Sequence, residues 1–187
     1  MRTKNKGNAV SSRSKICMEK ALLKLMETED YNEITIQEIT DNAGLSRRTF
    51  YRNYLSKEEI LEDYFHRIWL EYEAQICPQT DLSLPNIAKI FFGVMSSNLD
   101  FLKIVNRHNL LPLFLSQIDE LLPLTFNELK GKYMPFSKES VRYALTFSTG
   151  GCMRILIQWL NASTIKSPEE MGKITKDIVS IFNYPNC

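Results

Sequence analysis

Apolar side chains recur along most of the chain at spacings of three and four, the period of one helix face, and no segment sustains the alternation of a strand. After Ser12, the stripe Ile16, Met18, Leu22, Leu25 and Met26 predicts a first amphipathic helix running to Glu29 and broken at Asp30-Tyr31-Asn32. Thr35-Ile36-Gln37-Glu38 forms a capping box with Ile34 and Ile39 at the staple positions, so a short second helix starts there. Ala43-Gly44-Leu45 ends it, Gly44 supplying the positive φ of a tight turn, and Ser46 caps a third helix through Tyr54. Ser56-Lys57-Glu58-Glu59 repeats the box, with Leu55 and Ile60 as its staple, and opens a fourth helix that stops at Ile76 before Pro78. Residues 85–97, 100–107 and 111–131 carry further helical periodicity between breaks at Pro85, Asn98-Leu99-Asp100 and Asn109. Ser137 opens a long helix to Asn161, and Ser167-Pro168-Glu169-Glu170 opens the last, with serine at the cap and proline at the first helical position. The reading is all-α, about nine helices, with no internal repeat.

Composition adds an asymmetry. The chain of 187 residues is 44% hydrophobic and 24% charged with a net charge of +1, an ordinary globular balance. Residues 1–58 nevertheless hold eleven basic against eight acidic side chains, while residues 59–187 hold twelve against fourteen. A basic end on a slightly acidic body is the footprint of a nucleic-acid reader. Cys17, Cys77, Cys152 and Cys187 form no CxxC pair and have no histidine at ligand spacing, so they read as reduced cysteines, with neither a zinc site nor a disulfide framework. The basic start leads into no apolar signal core, and no window is long and apolar enough to span a bilayer, so a cytoplasmic location without membrane association is expected.

The second and third helices, joined by a turn containing Gly44, have the proportions of a helix-turn-helix with Ile36, Ile39, Ala43, Leu45 and Phe50 as its small core. That core turns one face of the third helix outward. On it stand Arg47, Arg48, Thr49, Tyr51 and Arg52, a dense set of donors suited to phosphates and base edges. The same stretch also has a basic segment upstream and Lys57 at the start of the next helix.

The run Ile34-Thr35-Ile36-Gln37-Glu38-Ile39-Thr40-Asp41-Asn42-Ala43-Gly44-Leu45-Ser46-Arg47-Arg48-Thr49-Phe50-Tyr51-Arg52-Asn53-Tyr54-Leu55-Ser56-Lys57-Glu58-Glu59-Ile60-Leu61 closely resembles the DNA-binding signature of the tetracycline-repressor (TetR) family, a likeness extending over about residues 12–65. It departs from the pattern at Asp30, where the family usually has glycine, and at Asn53, where an aromatic or histidine is common. The resemblance implies phosphate contacts from Thr35, Tyr51, Tyr54 and Lys57 and base contacts from Arg47, Arg48 and Thr49. With Ser46 and Arg52 these make the candidate DNA-binding set. On this reading, replacing Lys57 weakens binding to all sequences alike.

Residues 1–11, polar and basic with Gly7 and no periodicity, read as a disordered basic arm; the resemblance further implies a helix-turn-helix domain over 12–56 and a ligand-binding and dimerisation domain over 57–187. It also implies a homodimer on double-stranded operator DNA and an unidentified small-molecule effector or protein partner, with repression as the sign of regulation. Candidate dimer residues are Val141, Ala144, Ser148, Gly151, Cys152 and Ile155 on one helix and Met171, Ile174, Ile178, Ile181 and Phe182 on the last. Candidate pocket residues are Phe91, Phe92, Met95, Phe101, Phe114, Tyr143, Phe147 and Trp159; a plain core uses the same residue types at the same spacing. The segments Trp159-Leu160-Asn161-Ala162-Ser163 and Ser167-Pro168-Glu169-Glu170-Met171 also resemble a Gram-positive subgroup of the family that includes coactivators of the dihydroxyacetone-kinase type, with Ala162 where that subgroup usually has glycine. An enzyme is not expected: no phosphate loop, nucleophile motif or metal cluster is present, His66 and His108 are isolated, and no cofactor is implied.

Overall fold

The computed structural model describes residues 4–130 and 136–182, which form nine α-helices and no strand. These are α1 (Lys4–Met26), α2 (Ile36–Ala43), α3 (Arg47–Asn53), α4 (Glu58–Ile76), α5 (Leu84–Ser97), α6 (Leu99–Arg107), α7 (Pro112–Lys130), α8 (Lys138–Leu160) and α9 (Pro168–Phe182). The caps set most of the boundaries where the periodicity places them. The exception is α1, which begins at Lys4 and takes in residues 4–11, assigned to a disordered arm on composition; residues 1–3, like Cys187, lie outside the described residues. A single Gly7 without a proline weakens a helix by about 1 kcal/mol but does not end one that is already propagating.

The chain divides into two compact units, Met1–His66 and Arg67–Cys187, a later boundary than residue 56. The first turns of α4 fall in the first unit, whose buried side chains include Ile60, Leu61 and Phe65 along with Met18, Leu22, Met26, Ile34, Ile39 and Phe50. Ile34 and Ile39 both enter this core, as their staple positions require. Leu55 does not join Ile60: its side chain is 76% exposed while Ile60 is fully buried. Its backbone N–H is instead held by the Glu59 carboxylate at 2.7 Å.

In the second unit α5 runs along α9, and α6 and α7 pack on α8. Gly172 makes the α5–α9 approach possible, because a Cβ there would lie 3.0 Å from the Pro85 carbonyl oxygen and 3.3 Å from Lys89 Cβ. Asn109 adopts φ 57° between α6 and α7, a left-handed turn that asparagine tolerates, and the chain re-enters the core at Leu111. The α8 helix buries Thr149, Met153, Leu156, Trp159 and Leu160 and leaves Tyr143 and Phe147 exposed. Among the described residues no helix is long and apolar enough to cross a membrane.

Candidate nucleic-acid interface

The α2 helix starts on a complete reciprocal cap. The Thr35 hydroxyl oxygen accepts the Glu38 N–H at 3.2 Å, and Glu38 Oε2 accepts both the Thr35 N–H and its hydroxyl at 2.7 Å. The Thr35 hydroxyl and then its N–H hold the Glu38 carboxyl below the ordinary carboxylate range. A carboxyl depressed on folding stabilises the fold above its unfolded pKa, and that contribution is lost as the pH falls through the folded value. Glu38→Gln keeps a side-chain acceptor for the cap but removes the titration. We therefore expect its urea midpoint to fall less than that of the wild type between about pH 6 and pH 3; parallel curves would refute this.

Gly44 at φ 64° closes α2, with its own N–H on the Asp41 carbonyl and that of Leu45 on Thr40. Ser46 then caps α3, its hydroxyl oxygen accepting the Thr49 N–H at 3.1 Å and lying 3.0 Å from Thr49 Oγ1. Phe50 is fully buried against the rings of Tyr51 and Tyr54, at centroid distances of 5.4 and 6.2 Å, and pins α3 by its inner face. The outer face carries Arg47, Arg48 and Arg52, all exposed and without an ion pair among the described residues, beside half-exposed Tyr51 and half-buried Thr49.

Two members of the expected set point inward. Tyr54 is buried and its hydroxyl donates to Asp63 Oδ2 at 2.8 Å; the same oxygen receives Lys15 Nζ at 3.1 Å, and that ammonium lies 4.9 Å from the Tyr54 ring centre. Lys57 Nζ donates to the carbonyls of Tyr31, Asn32 and Ile34 at 2.6, 3.2 and 2.8 Å, and stands 4.4 Å over the Tyr31 ring. Its three protons are thereby engaged in holding the α1–α2 turn rather than offered to a phosphate. The Tyr31 hydroxyl donates to Glu58 Oε1 at 2.8 Å. Burial raises the Glu58 carboxyl, but hydrogen bonds from Tyr31, its own backbone N–H and Ser56 outweigh that and hold it below the ordinary range.

Sequence reasoning passes over Tyr31, Asp63, Lys15 and Ser11 as site-forming residues. Asn53, which stands out in the sequence only as a departure from the family pattern, donates through Nδ2 to the Thr49 carbonyl at 2.7 Å and accepts the Ser11 hydroxyl at 2.6 Å. Asp30 accepts the Asn32 N–H at 2.8 Å in a side-chain-closed turn, and this replaces the left-handed residue that a glycine would provide.

Of the expected pocket residues, Phe91, Phe92 and Trp159 make a chain of ring contacts at 5.2 and 5.4 Å and Phe101 meets Phe114 at 6.0 Å; Phe92, Met95, Phe101, Phe114 and Trp159 are buried, and Phe91 is half-buried. Tyr143 and Phe147 stand apart, 61% and 78% exposed. A cavity of about 330 Å³ does lie between α7 and α8, but its lining is Phe126, Phe136, Ser140, Val141, Ala144, Leu145 and Ser148. Of the expected dimer residues, Ala144, Ser148, Gly151, Cys152 and Ile181 are exposed and Val141, Ile155, Ile174 and Ile178 are half-buried. Met171 is buried in the α5–α9 contact region beside Gly172, and the side chain of Phe182 lies outside the described residues.

Comparison with known proteins gives the geometry its context. Residues 20–64 match the family model described as bacterial regulatory proteins, tetR family, and residues 83–180 match that of a transcriptional regulator C-terminal region. A curated relative, the uncharacterized HTH-type transcriptional regulator YxbF of Bacillus subtilis (strain 168), is 39% identical over 56 residues, which is 29% of this chain and 15% of that protein. Two solved structures share the fold. One is a TetR transcriptional regulator from Streptococcus agalactiae 2603V, with TM-score 0.62 and 19% identity over 92% of this chain and 97% of that one. The other is the dihydroxyacetone kinase operon activator DhaS, with TM-score 0.55 and 20% identity over 91% and 94%.

Proposed function

The chain belongs to the tetR family of bacterial regulatory proteins, and on that premise we propose that it acts in the cytoplasm as a homodimeric repressor reading a palindromic operator and released by an effector. The observation that carries the reading is α3: three exposed guanidinium groups without ion pairs among the described residues, held in a fixed register by Phe50 and by the caps at Ser46 and Gly44. Guanidinium groups match guanine in the major groove bidentately, and a two-fold dimer selects two symmetric half-sites. The exposed strip Ala144, Ser148, Gly151 and Cys152 on α8 is suited to close helix packing against a second copy.

Selection from a randomised duplex library at low and high salt tests this: a palindrome that survives high salt supports the reading, and salt-labile binding without a motif removes it. Given the selected operator, Arg48→Ala should cost about 1–3 kcal/mol at one base-pair position and relax specificity there, while affinity for random duplex changes far less. Equal losses on both duplexes would take Arg48 out of base contact.

A second reading is a coactivator controlled by a protein partner. It draws on the exposed side chains Leu124, Phe136, Tyr143 and Phe147, and on the likeness of the fold to a protein titled an operon activator. The two readings part on whether a small molecule or a second protein changes the operator affinity of the purified chain.

A further inference from the structure

We propose that Asn53 is a specificity-determining positioning residue: without touching DNA, it sets the aim of the exposed guanidinium groups by clamping the last turn of α3 to Ser11 of α1. The proposal rests on the DNA-binding reading above and adds a determinant of its sequence preference.

A helix of seven residues is too short to be stable alone, so what it is fastened to decides where its outer face points. Within α3 only Phe50 is buried, and it fixes which face turns inward. The caps fix the start of the helix. Gly44 turns the chain into it, and both contacts of Ser46 end on Thr49 in the first turn. The last turn, which carries Arg52, lies beyond them and is held from the other end. Asn53 Nδ2 donates to the Thr49 carbonyl at 2.7 Å, which orients the amide, and Oδ1 accepts the Ser11 hydroxyl at 2.6 Å. The first bond stays inside α3; the second leaves it for α1. Both residues are half-buried, so water competes for this bond less than it would at the surface.

The next residue, Tyr54, is tied to Asp63 of α4, and that carboxylate also holds Lys15, one turn of α1 beyond Ser11. This second tie fastens the chain after α3, whereas Asn53 fastens the helix itself. Geometry shows why the difference matters for reading bases. Seven residues of helix measure about 10 Å, so a swing of about 6° about the start carries the far end through about 1 Å. That displacement exceeds the whole range of good hydrogen-bond lengths, and a bidentate match of guanidinium to guanine does not survive it. Attraction to phosphates is far less sensitive to such a shift, because it acts through charge over longer distances. A loosened clamp therefore costs discrimination before it costs general affinity.

The test uses the full-length chain on two duplexes of equal length, one bearing the motif that the wild type selects and one of random sequence. Titrations are made well below the unfolding midpoint of each variant. Ser11→Ala removes the hydroxyl and no charge. The clamp biases the orientation by no more than the free energy of one neutral hydrogen bond, so affinity for the selected motif should fall by about two- to tenfold. Affinity for the random duplex and the salt slope on it should stay where they are, because every cationic side chain is still present. Ser11→Thr keeps the hydroxyl and should restore the wild-type ratio of the two affinities. Asn53→Ala should lower that ratio at least as far, and adding Ser11→Ala to it should change nothing more.

A merely structural bond would lower the unfolding midpoint of Ser11→Ala and leave the ratio at the wild-type value, which would overturn the proposal while the DNA-binding reading stands. Equal losses on both duplexes would place Ser11 or Asn53 against the DNA itself and overturn it too. Additive losses in the double variant would mean that the two residues act apart, and the clamp would fall. A wild type that selects no motif would remove the parent reading, and this one with it.

Discussion

Lys57→Ala is expected to lower the stability of the first unit by about 2–3 kcal/mol while leaving the salt slope of DNA binding where it was. A hydrogen bond from a charged donor contributes about 1.5–3 kcal/mol and a cation over an exposed ring about 0.5–1. Lys57 makes three such bonds and sits over Tyr31, but it is half-exposed and water can replace part of what is removed. The three carbonyls belong to the turn that delivers the chain into the Thr35 cap, so the loss falls on the orientation of α2 and, with it, of α3. Urea unfolding followed by far-ultraviolet circular dichroism measures the first quantity. Titration with operator at several salt concentrations, well below the unfolding midpoint, measures the second. Unaltered stability with a slope reduced by about 1 per protomer would return Lys57 to the DNA, as the family resemblance implies.

Gly172→Leu should destabilise the second unit by about 2–3 kcal/mol, with Gly172→Ala far milder. At an open helical site, alanine gains about 0.8–1 kcal/mol over glycine. Here the added Cβ meets the Pro85 carbonyl oxygen at 3.0 Å, a backbone atom that cannot rotate aside, and that contact offsets the gain. A leucine must push α5 and α9 apart, and overpacking of this kind costs about 1–3 kcal/mol, with the upper end expected where the obstacle is backbone. Thermal unfolding of the three proteins in parallel decides the matter. A leucine variant as stable as the wild type would mean that the helix pair is loosely joined.

The helix-turn-helix is legible because its determinants are local. Thr35 with Glu38, Gly44, and Ser46 with Thr49 act within four residues of one another, and each makes the bond that its spacing predicts. What the sequence does not place is the partner of a long polar side chain. Tyr54 and Lys57 stand where the family pattern puts DNA contacts, yet their bonds go to Asp63 and to Tyr31, Asn32 and Ile34, and Lys57 reaches its carbonyls across more than twenty positions of chain. The early start of α1 is invisible for a different reason: residues 4–11 lack an apolar stripe, and periodicity detects helices only where one face is buried. In the second unit the stripes on α8 and α9 are visible, but spacing does not say which neighbour takes each side. Packing does, and it turns Gly172 toward α5.

Both tryptophans of the chain, Trp69 and Trp159, lie in the second unit, and both are buried. The first unit has none, so its aromatic emission comes from tyrosine alone. Tryptophan fluorescence is therefore a built-in label for one half of the molecule, and far-ultraviolet dichroism reports on both. Comparing the two signals in a single denaturant titration assigns a stability change to its unit without an introduced dye: Gly172→Leu should shift the fluorescence transition, and Lys57→Ala should separate the dichroism curve from it.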